Sequence, residues 1–202
     1  MVTIGILAVQ GDFAAHAAAV TRVLARPMLV RKPVDLVAVD ALVLPGGEST
    51  AMLRGLARDG LEQPLASFLG SGRPVLGTCA GAILLARRVS NPEQRSFGTL
   101  DIDVERNAYG TQLDSFEAPL DGDGLLGDLR GTFIRAPRIT RIGPSVEVLA
   151  RHDGHAVLVR DGTVWAATFH PELGHDDRVF RLWLSMPVKL RRSPPTAGSV
   201  VA

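Results

Sequence analysis

The single cysteine of the chain, Cys79, stands at the centre of Gly77-Thr78-Cys79-Ala80-Gly81. The apolar run Pro74-Val75-Leu76 precedes it, and the helix-like run Ala82-Ile83-Leu84-Leu85-Ala86-Arg87-Arg88 follows. Strand, glycine-flanked turn and helix in that order form a nucleophile elbow, with cysteine where serine stands in G-x-S-x-G. Glycines suit such a turn because the backbone bends sharply and strand and helix pack closely around it. The apex residue is presented above the sheet at the start of a helix, where partial positive charge favours an anion. A buried cysteine serving as a small hydrophobe is the competing reading. Its weight depends on whether the partners of a nucleophile are present.

A thiolate attacking a carbonyl needs a general base, a group that orients the base, and donors for the oxyanion. His170-Pro171-Glu172 follows the strand-like Trp165-Ala166-Ala167-Thr168-Phe169. Residues two apart in an extended segment point the same way. The Glu172 carboxylate is therefore expected beside the His170 ring, where it fixes the tautomer and stabilises the imidazolium. A surface histidine next to a surface acid is the plainer alternative. His16, His152, His155 and His175 lack such a setting and read as solvated or turn residues. Ala80 offers one oxyanion donor, its backbone N–H. A second is expected from the loop Pro45-Gly46-Gly47-Glu48-Ser49-Thr50 after the buried strand Ala41–Leu44, with Ser49 capping the next helix. An ordinary strand–helix turn would look much the same.

These residues resemble the class I (triad) glutamine amidotransferases. Leu7-Ala8-Val9-Gln10-Gly11-Asp12, Leu44-Pro45-Gly46-Gly47-Glu48-Ser49-Thr50, Gly77-Thr78-Cys79-Ala80-Gly81, Val104-Glu105-Arg106-Asn107, Asp114-Ser115-Phe116-Glu117, Phe133-Ile134-Arg135-Ala136-Pro137 and Thr168-Phe169-His170-Pro171-Glu172-Leu173 occur in that order. The series is similar to the glutaminase subunits of the two-subunit pyridoxal 5′-phosphate synthases, over nearly the whole chain. The resemblance implies a thioester-forming nucleophile at Cys79, a base and acid at His170, and an orienter at Glu172. It implies glutamine binding by Gly47, Glu48, Ser49, Arg106, Ile134 and Arg135, and an oxyanion hole from Gly47 and Ala80. It places Gln10 and Gly11 at the contact with a synthase subunit, the ammonia acceptor, in a large hetero-oligomer. No cofactor and no metal is implied. Two departures stand out: Thr111 where relatives commonly carry arginine, and a short, arginine-rich stretch from Ala25 to Asp35. A related subunit feeding another acceptor, such as imidazole glycerol phosphate synthase, would share the elbow and H-P-E. Against it stand the E-R-N and F-I-R-A-P segments. A non-catalytic regulatory module on the same fold would lack a triad member, and none is missing.

The elements that must hold these residues follow from periodicity. The first half alternates strands (Thr3–Val9, Met28–Arg31, Ala41–Leu44, Pro74–Leu76) with helices (Phe13–Ala25, Thr50–Ala57, Leu61–Leu69, Ala82–Arg88). That rhythm predicts a three-layer α/β, flavodoxin-like fold with a mainly parallel central sheet and flanking helices. The candidate loops each follow a strand, and active sites in such sheets lie at the strands' carboxyl ends. The second half is strand-rich: Gly98–Glu105, Gln112–Glu117, Gly131–Arg135, Val146–His152, His155–Arg160 and Thr163–Phe169. Asp153-Gly154 and Asp161-Gly162 signal hairpins; Asp121-Gly122-Asp123-Gly124 signals an exposed turn. Asp176-Asp177 should cap a last helix over Arg178–Met186. One domain is expected over residues 1–186, with a disordered tail over 187–202.

Composition is that of a soluble globular protein, and a cytoplasmic location is expected. The 202 residues are 46% hydrophobic and 21% charged, with a net charge of +1, so nothing suggests a nucleic-acid or membrane surface. One cysteine excludes an internal disulfide framework. No secretory signal is expected, since Val2–Leu7 at the start of the sequence is strand-like, and no apolar run reaches membrane-spanning length. Metal-ligand spacings are absent from the sequence.

Overall fold

The computed structural model describes residues 1–106, 108, 115–122 and 124–185. Thr111, Asn107, the first half of the segment expected to be a strand over 112–117, Asp123 and the tail from 187 lie outside the described residues. In chain order the elements are β1 (Thr3–Leu7), α1 (Phe13–Arg22), β2 (Arg26–Val30), α2 (Pro33–Val37), β3 (Ala41–Leu44), α3 (Ser49–Arg58), α4 (Glu62–Leu69), β4 (Val75–Thr78), α5 (Ala80–Leu85), β5 (Ala86–Ser90) and β6 (Leu100–Glu105). They continue with β7 (Phe116–Pro119), β8 (Asp121–Gly122), a 3-10 turn at Gly124–Leu126, β9 (Arg130–Phe133), β10 (Arg138–Ile142), β11 (Glu147–His152), β12 (His155–Asp161), β13 (Val164–Ala167) and α6 (Arg178–Leu184).

Eight strands form one sheet in the order β2-β1-β3-β4-β13-β12-β11-β8. The strands from β2 to β13 run parallel, and β12, β11 and β8 continue the sheet antiparallel. The parallel part has the flavodoxin-like order, with a crossover on each side of β1. Every residue of β1, β3, β4 and β13 is buried, as expected of strands covered on both faces. Alternation sorts their side chains into two cores. Leu42, Leu44 and Val75 face α2, α3, α4 and α5, while Ala41, Val43, Leu76 and Trp165 face α1 and α6. A three-stranded sheet, β10-β6-β5, closes over the first core, and the β7–β9 ribbon over the second.

Several local expectations are corrected. The helix after the elbow stops at Leu85, and Arg87 and Arg88 lie in β5. All six residues of α5 are buried, so it cannot accommodate arginines. The chain turns outward instead and pairs with β6, leaving both arginines exposed. Asp121-Gly122 is not a free turn but a short edge strand against Ala150 and Arg151 of β11. β10 escaped notice because Arg138, Thr140 and Arg141 mask its two-residue period. The Asp153-Gly154 hairpin is as expected, with φ of 48° and 76° at its two turn residues. In the next hairpin Asp161 pairs with Val164, so the turn is Gly162-Thr163, one residue later than expected.

Close packing of α5 fixes the elbow. A Cβ on Gly81 would overlap the carbonyl oxygen of Leu44, and one on Gly77 would lie 2.7 Å from the backbone of Gly81. Helix α5 therefore touches β3 and β4 backbone to backbone. Gly81→Ala should destabilise the chain by about 3 kcal/mol, the upper part of the usual overpacking range. A denaturant titration measures this, and an unchanged midpoint would mean that α5 can lift without loss.

Candidate active site

The loops after β1, β3, β4 and β13 meet at one edge of the sheet. Strand β4 lies between β3 and β13, with Leu44 opposite Gly77 and Ala167 opposite Thr78. Cys79 follows at once, held by its N–H donating to the Ala167 carbonyl at 2.8 Å. Its backbone has φ 47° and ψ −102°, a conformation that non-glycine residues rarely adopt. Strain of this kind concentrates at functional sites. The side chain is largely buried, with Sγ 3.8 Å from the Ile134 carbonyl oxygen.

His170 and Glu172 are brought together as expected, with Nδ1 2.7 Å from Oε1. The backbone route differs from the expected one. His170 to Leu173 is a turn, closed by the Leu173 N–H on the His170 carbonyl at 3.4 Å, rather than an extended segment. The turn lets Glu172 fold back into the core while His170 stays half-buried at the cavity. Burial pushes the His170 pKa down, but hydrogen bonds to Cys79 and Glu172 and the negative charges on both outweigh it and lift the value to about 10. The imidazolium is thus the form that this environment favours.

Cys79 and His170 share a cavity of about 220 Å³ with Gly47, Glu48, Ser49, Arg106, Ile134 and Arg135, all of the expected glutamine-binding set. Gly46 of the expected glycine pair lines it too, as do Asp12, Ile83 and Pro137, to which the sequence assigns no role. A Cβ on Gly46 would overlap the His170 ring, so the glycine pair is needed for close approach. Glu48, not Ser49, caps α3: its carboxylate accepts from the N–H groups of Thr50 and Ala51 at 3.0 and 2.6 Å. Arg106 donates to the same carboxylate at 3.1 Å. Slight burial raises the Glu48 pKa, and these hydrogen bonds with Arg106 hold it below the ordinary value. Ser49 is the first residue of the helix and donates its hydroxyl to Gln94 Oε1 at 2.9 Å. The capping assignment shifts by one residue because a longer carboxylate reaches the same N–H groups.

Ala80 opens α5 with its methyl group in the core. Gln10 and Gly11 stand just outside the cavity wall. The Gln10 side-chain carbonyl accepts from the Glu48 N–H at 2.8 Å, and Gly11, with φ 103°, packs on the Gly46 carbonyl. Arg135 has φ 44° and is exposed at the cavity mouth.

One histidine contradicts its expectation outright. His16 is fully buried, with Nε2 3.0 Å from Thr78 Oγ1 and 3.3 Å from Glu172 Oε2. Its place on α1 held the missed signal. Phe13, His16, Ala17 and Val20 follow i, i+3, i+4, i+7 spacing, so His16 falls on the apolar stripe. A histidine there is buried and needs polar partners. His152 is also not merely solvated, since its ring packs 5.2 Å from that of Phe133. His155 and His175 are exposed.

The sheet order and the cysteine elbow after β4, beside the glycine loop that follows β3, are those of the class I glutamine amidotransferases. A solved structure described as a glutamine amidotransferase superposes with a TM-score of 0.84 at 45% identity, covering 90% of this chain and 97% of that one. The chain belongs to the SNO glutamine amidotransferase family, whose profile matches residues 6–189. It is 51% identical to the pyridoxal 5′-phosphate synthase subunit PdxT of Koribacter versatilis, over 91% of this chain and 94% of that protein. It is 48% identical to the PdxT of Streptomyces coelicolor, over 91% and 92% of the two chains. The PurLQS structure from Thermotoga maritima shares the fold at a TM-score of 0.68 and 18% identity, over 91% of this chain and 97% of that one.

If Glu172 holds the His170 proton, its removal has a direction. The folded-state pKa of His170, about 10, exceeds the ordinary 6.5. The imidazolium therefore stabilises the fold fully below about pH 6.5, and that contribution is lost as pH rises through about 10. Glu172→Gln removes a charge that raises this pKa. The alkaline fall of glutamine hydrolysis, read as glutamate release against pH, should then move to lower pH. An unmoved limb would rule out Glu172 as the group that orients and charges His170.

Proposed function

We propose that this chain is the glutaminase subunit of a pyridoxal 5′-phosphate synthase, hydrolysing L-glutamine to L-glutamate and ammonia for a synthase subunit. The observation that carries the reading is Cys79 in an elbow of positive φ, sharing one cavity with a His170 bonded to Glu172. The PdxT name of relatives matched over nine-tenths of the chain supports the choice of acceptor.

The Cys79 thiolate attacks the side-chain amide carbon of glutamine. The tetrahedral oxyanion is met by the N–H groups of Gly47 and Ala80. His170 gives its proton to the leaving nitrogen, ammonia departs and a glutamyl thioester remains. Water then attacks, with His170 taking its proton, and the thioester opens to glutamate and Cys79. Arg106, Glu48, Ser49, Ile134 and Arg135 hold the substrate. A pocket that both donates to and accepts from the amide rejects glutamate, which would leave buried polar atoms unpaired.

Ammonia released into bulk water is lost, so hydrolysis is best kept slow until a synthase is docked. The hydrogen bond from Glu48 to Gln10 offers the link. Docking against Gln10 and Gly11 reaches the Gly46-Gly47 loop, and with it an oxyanion donor, through one side chain. In this reading residues 1–186 act as one domain in a large cytoplasmic hetero-oligomer, without metal or cofactor. None of the helices among the described residues is long and apolar enough to cross a membrane.

Glutamate release by the chain alone and with a pyridoxal 5′-phosphate synthase subunit tests this. Strong stimulation is expected. High turnover without any partner would sink the coupling. A reactive Cys79 with no stimulation would move the glutaminase to another acceptor.

A further inference from the structure

His16 lies behind the proposed triad rather than in its cavity. The ring touches polar groups on both sides. Nδ1 is 2.8 Å from the Asp12 carbonyl oxygen, which can only accept, so Nδ1 carries a proton. Nε2 is 3.0 Å from the Thr78 hydroxyl and 3.3 Å from Glu172 Oε2. Glu172 is 3% exposed, and only Oε1 has a hydrogen-bond partner, His170; Oε2 has none of hydrogen-bond geometry. A buried carboxylate oxygen left without a donor is costly. A bare Nε2 would accept from the Thr78 hydroxyl and leave Glu172 Oε2 with no proton facing it. A proton on Nε2 turns the contact into attraction, while the Thr78 hydroxyl rotates to accept beside it.

Resting on the glutaminase reading, we infer that His16 is a positioning residue of the triad, an imidazolium whose Nε2 proton faces Glu172 Oε2 and Thr78 Oγ1 and locks the carboxylate against His170. The surroundings leave few other sources for that proton. Asp12, on the same turn, has its carboxylate engaged in accepting from the Ala15 N–H at 3.0 Å. The end of β4 brings Thr78 and the elbow after it Cys79, and the turn after β13 brings His170 and Glu172. From α6 comes the Phe180 ring, edge-on at 6.4 Å and without charge. The resulting row runs Cys79, His170, Glu172, His16, with alternating charge.

The test uses the full chain with a synthase subunit, as wild type, His16→Phe and His16→Gln. Nitrogen-15 spectra of histidine-labelled wild type, assigned by the signal missing in His16→Gln, should show both ring nitrogens of His16 protonated near neutral pH. His16→Phe strips Glu172 Oε2 of its facing proton. Its kcat should fall about tenfold or more. KM for glutamine should stay within about twofold, because His16 does not line the cavity. The alkaline limb should move to lower pH as Glu172 loosens its hold on His170. Glutamine keeps an N–H donor at a similar reach, so His16→Gln should recover most of kcat. A bare Nε2 in the spectrum overturns the inference. So does a His16→Phe enzyme with an unmoved pH limb, whether its kcat is normal or merely lowered by poor folding. Should His16→Phe not fold, the spectrum and His16→Gln still decide. A wild-type chain that releases no glutamate even with the synthase would fail the glutaminase reading instead, and the spectrum would then settle the Nε2 proton by itself.

Discussion

Cys79→Ala is expected to reduce glutamine hydrolysis to background, a loss on the order of 10⁶-fold, while leaving glutamine bound. The loss is total because no other cysteine exists in the chain to take over the attack. Binding survives because the cavity walls come from separate elements: Gly47 to Ser49 after β3, Arg106 after β6, and Ile134-Arg135 after β9. Alanine also suits the site sterically, since it removes only the sulfur from a residue already packed between β4 and α5. Its cost is confined to the left-handed backbone at φ 47°, which alanine tolerates no worse than cysteine. Steady-state glutamate release with a synthase subunit, paired with calorimetric titration of glutamine, separates the two effects. Residual hydrolysis above about one-hundredth of wild type would exclude a thioester at Cys79. Loss of binding together with activity would mean that the thiol helps form the pocket.

Much of this site was readable because its signals are local. The elbow is five consecutive residues, and the glycines at 77 and 81 are there because helix and strand backbones touch. H-P-E places base and orienter two residues apart, so no knowledge of the fold is needed to pair them. Even there the reason proved different, a turn and not an extended strand, because Glu172 must fold inward to be buried. The parallel half of the sheet was legible from apolar runs bounded by turn residues. β5 and β10 were not, because charged side chains on their open faces hide the period of two. His16 shows the limit most clearly. Its partners are 62 residues away at Thr78, the last residue of β4, and farther still along the chain at Glu172, after the neighbouring strand β13, and only the fold joins them. The cue was its place on an apolar stripe, where a lone histidine is easily set aside as solvated.

His170→Asn should cost nearly as much as removing the nucleophile, about 10⁴-fold or more in kcat. The imidazole has two tasks that asparagine cannot perform. It balances the Cys79 thiolate as an imidazolium, and it gives that proton to the departing nitrogen. An asparagine amide can still meet Glu172 where Nδ1 does, so the buried carboxylate keeps a partner and the fold is spared. The two losses should not add: Cys79→Ala with His170→Asn should be no slower than Cys79→Ala alone, because nucleophile and base act as one unit. Labelling of Cys79 by 6-diazo-5-oxo-norleucine supplies a second readout, and its rate should drop in His170→Asn although the thiol is untouched. If the double substitution were slower than either single one by the product of their effects, the two residues would be acting independently. His170 would then belong to substrate binding rather than to proton transfer.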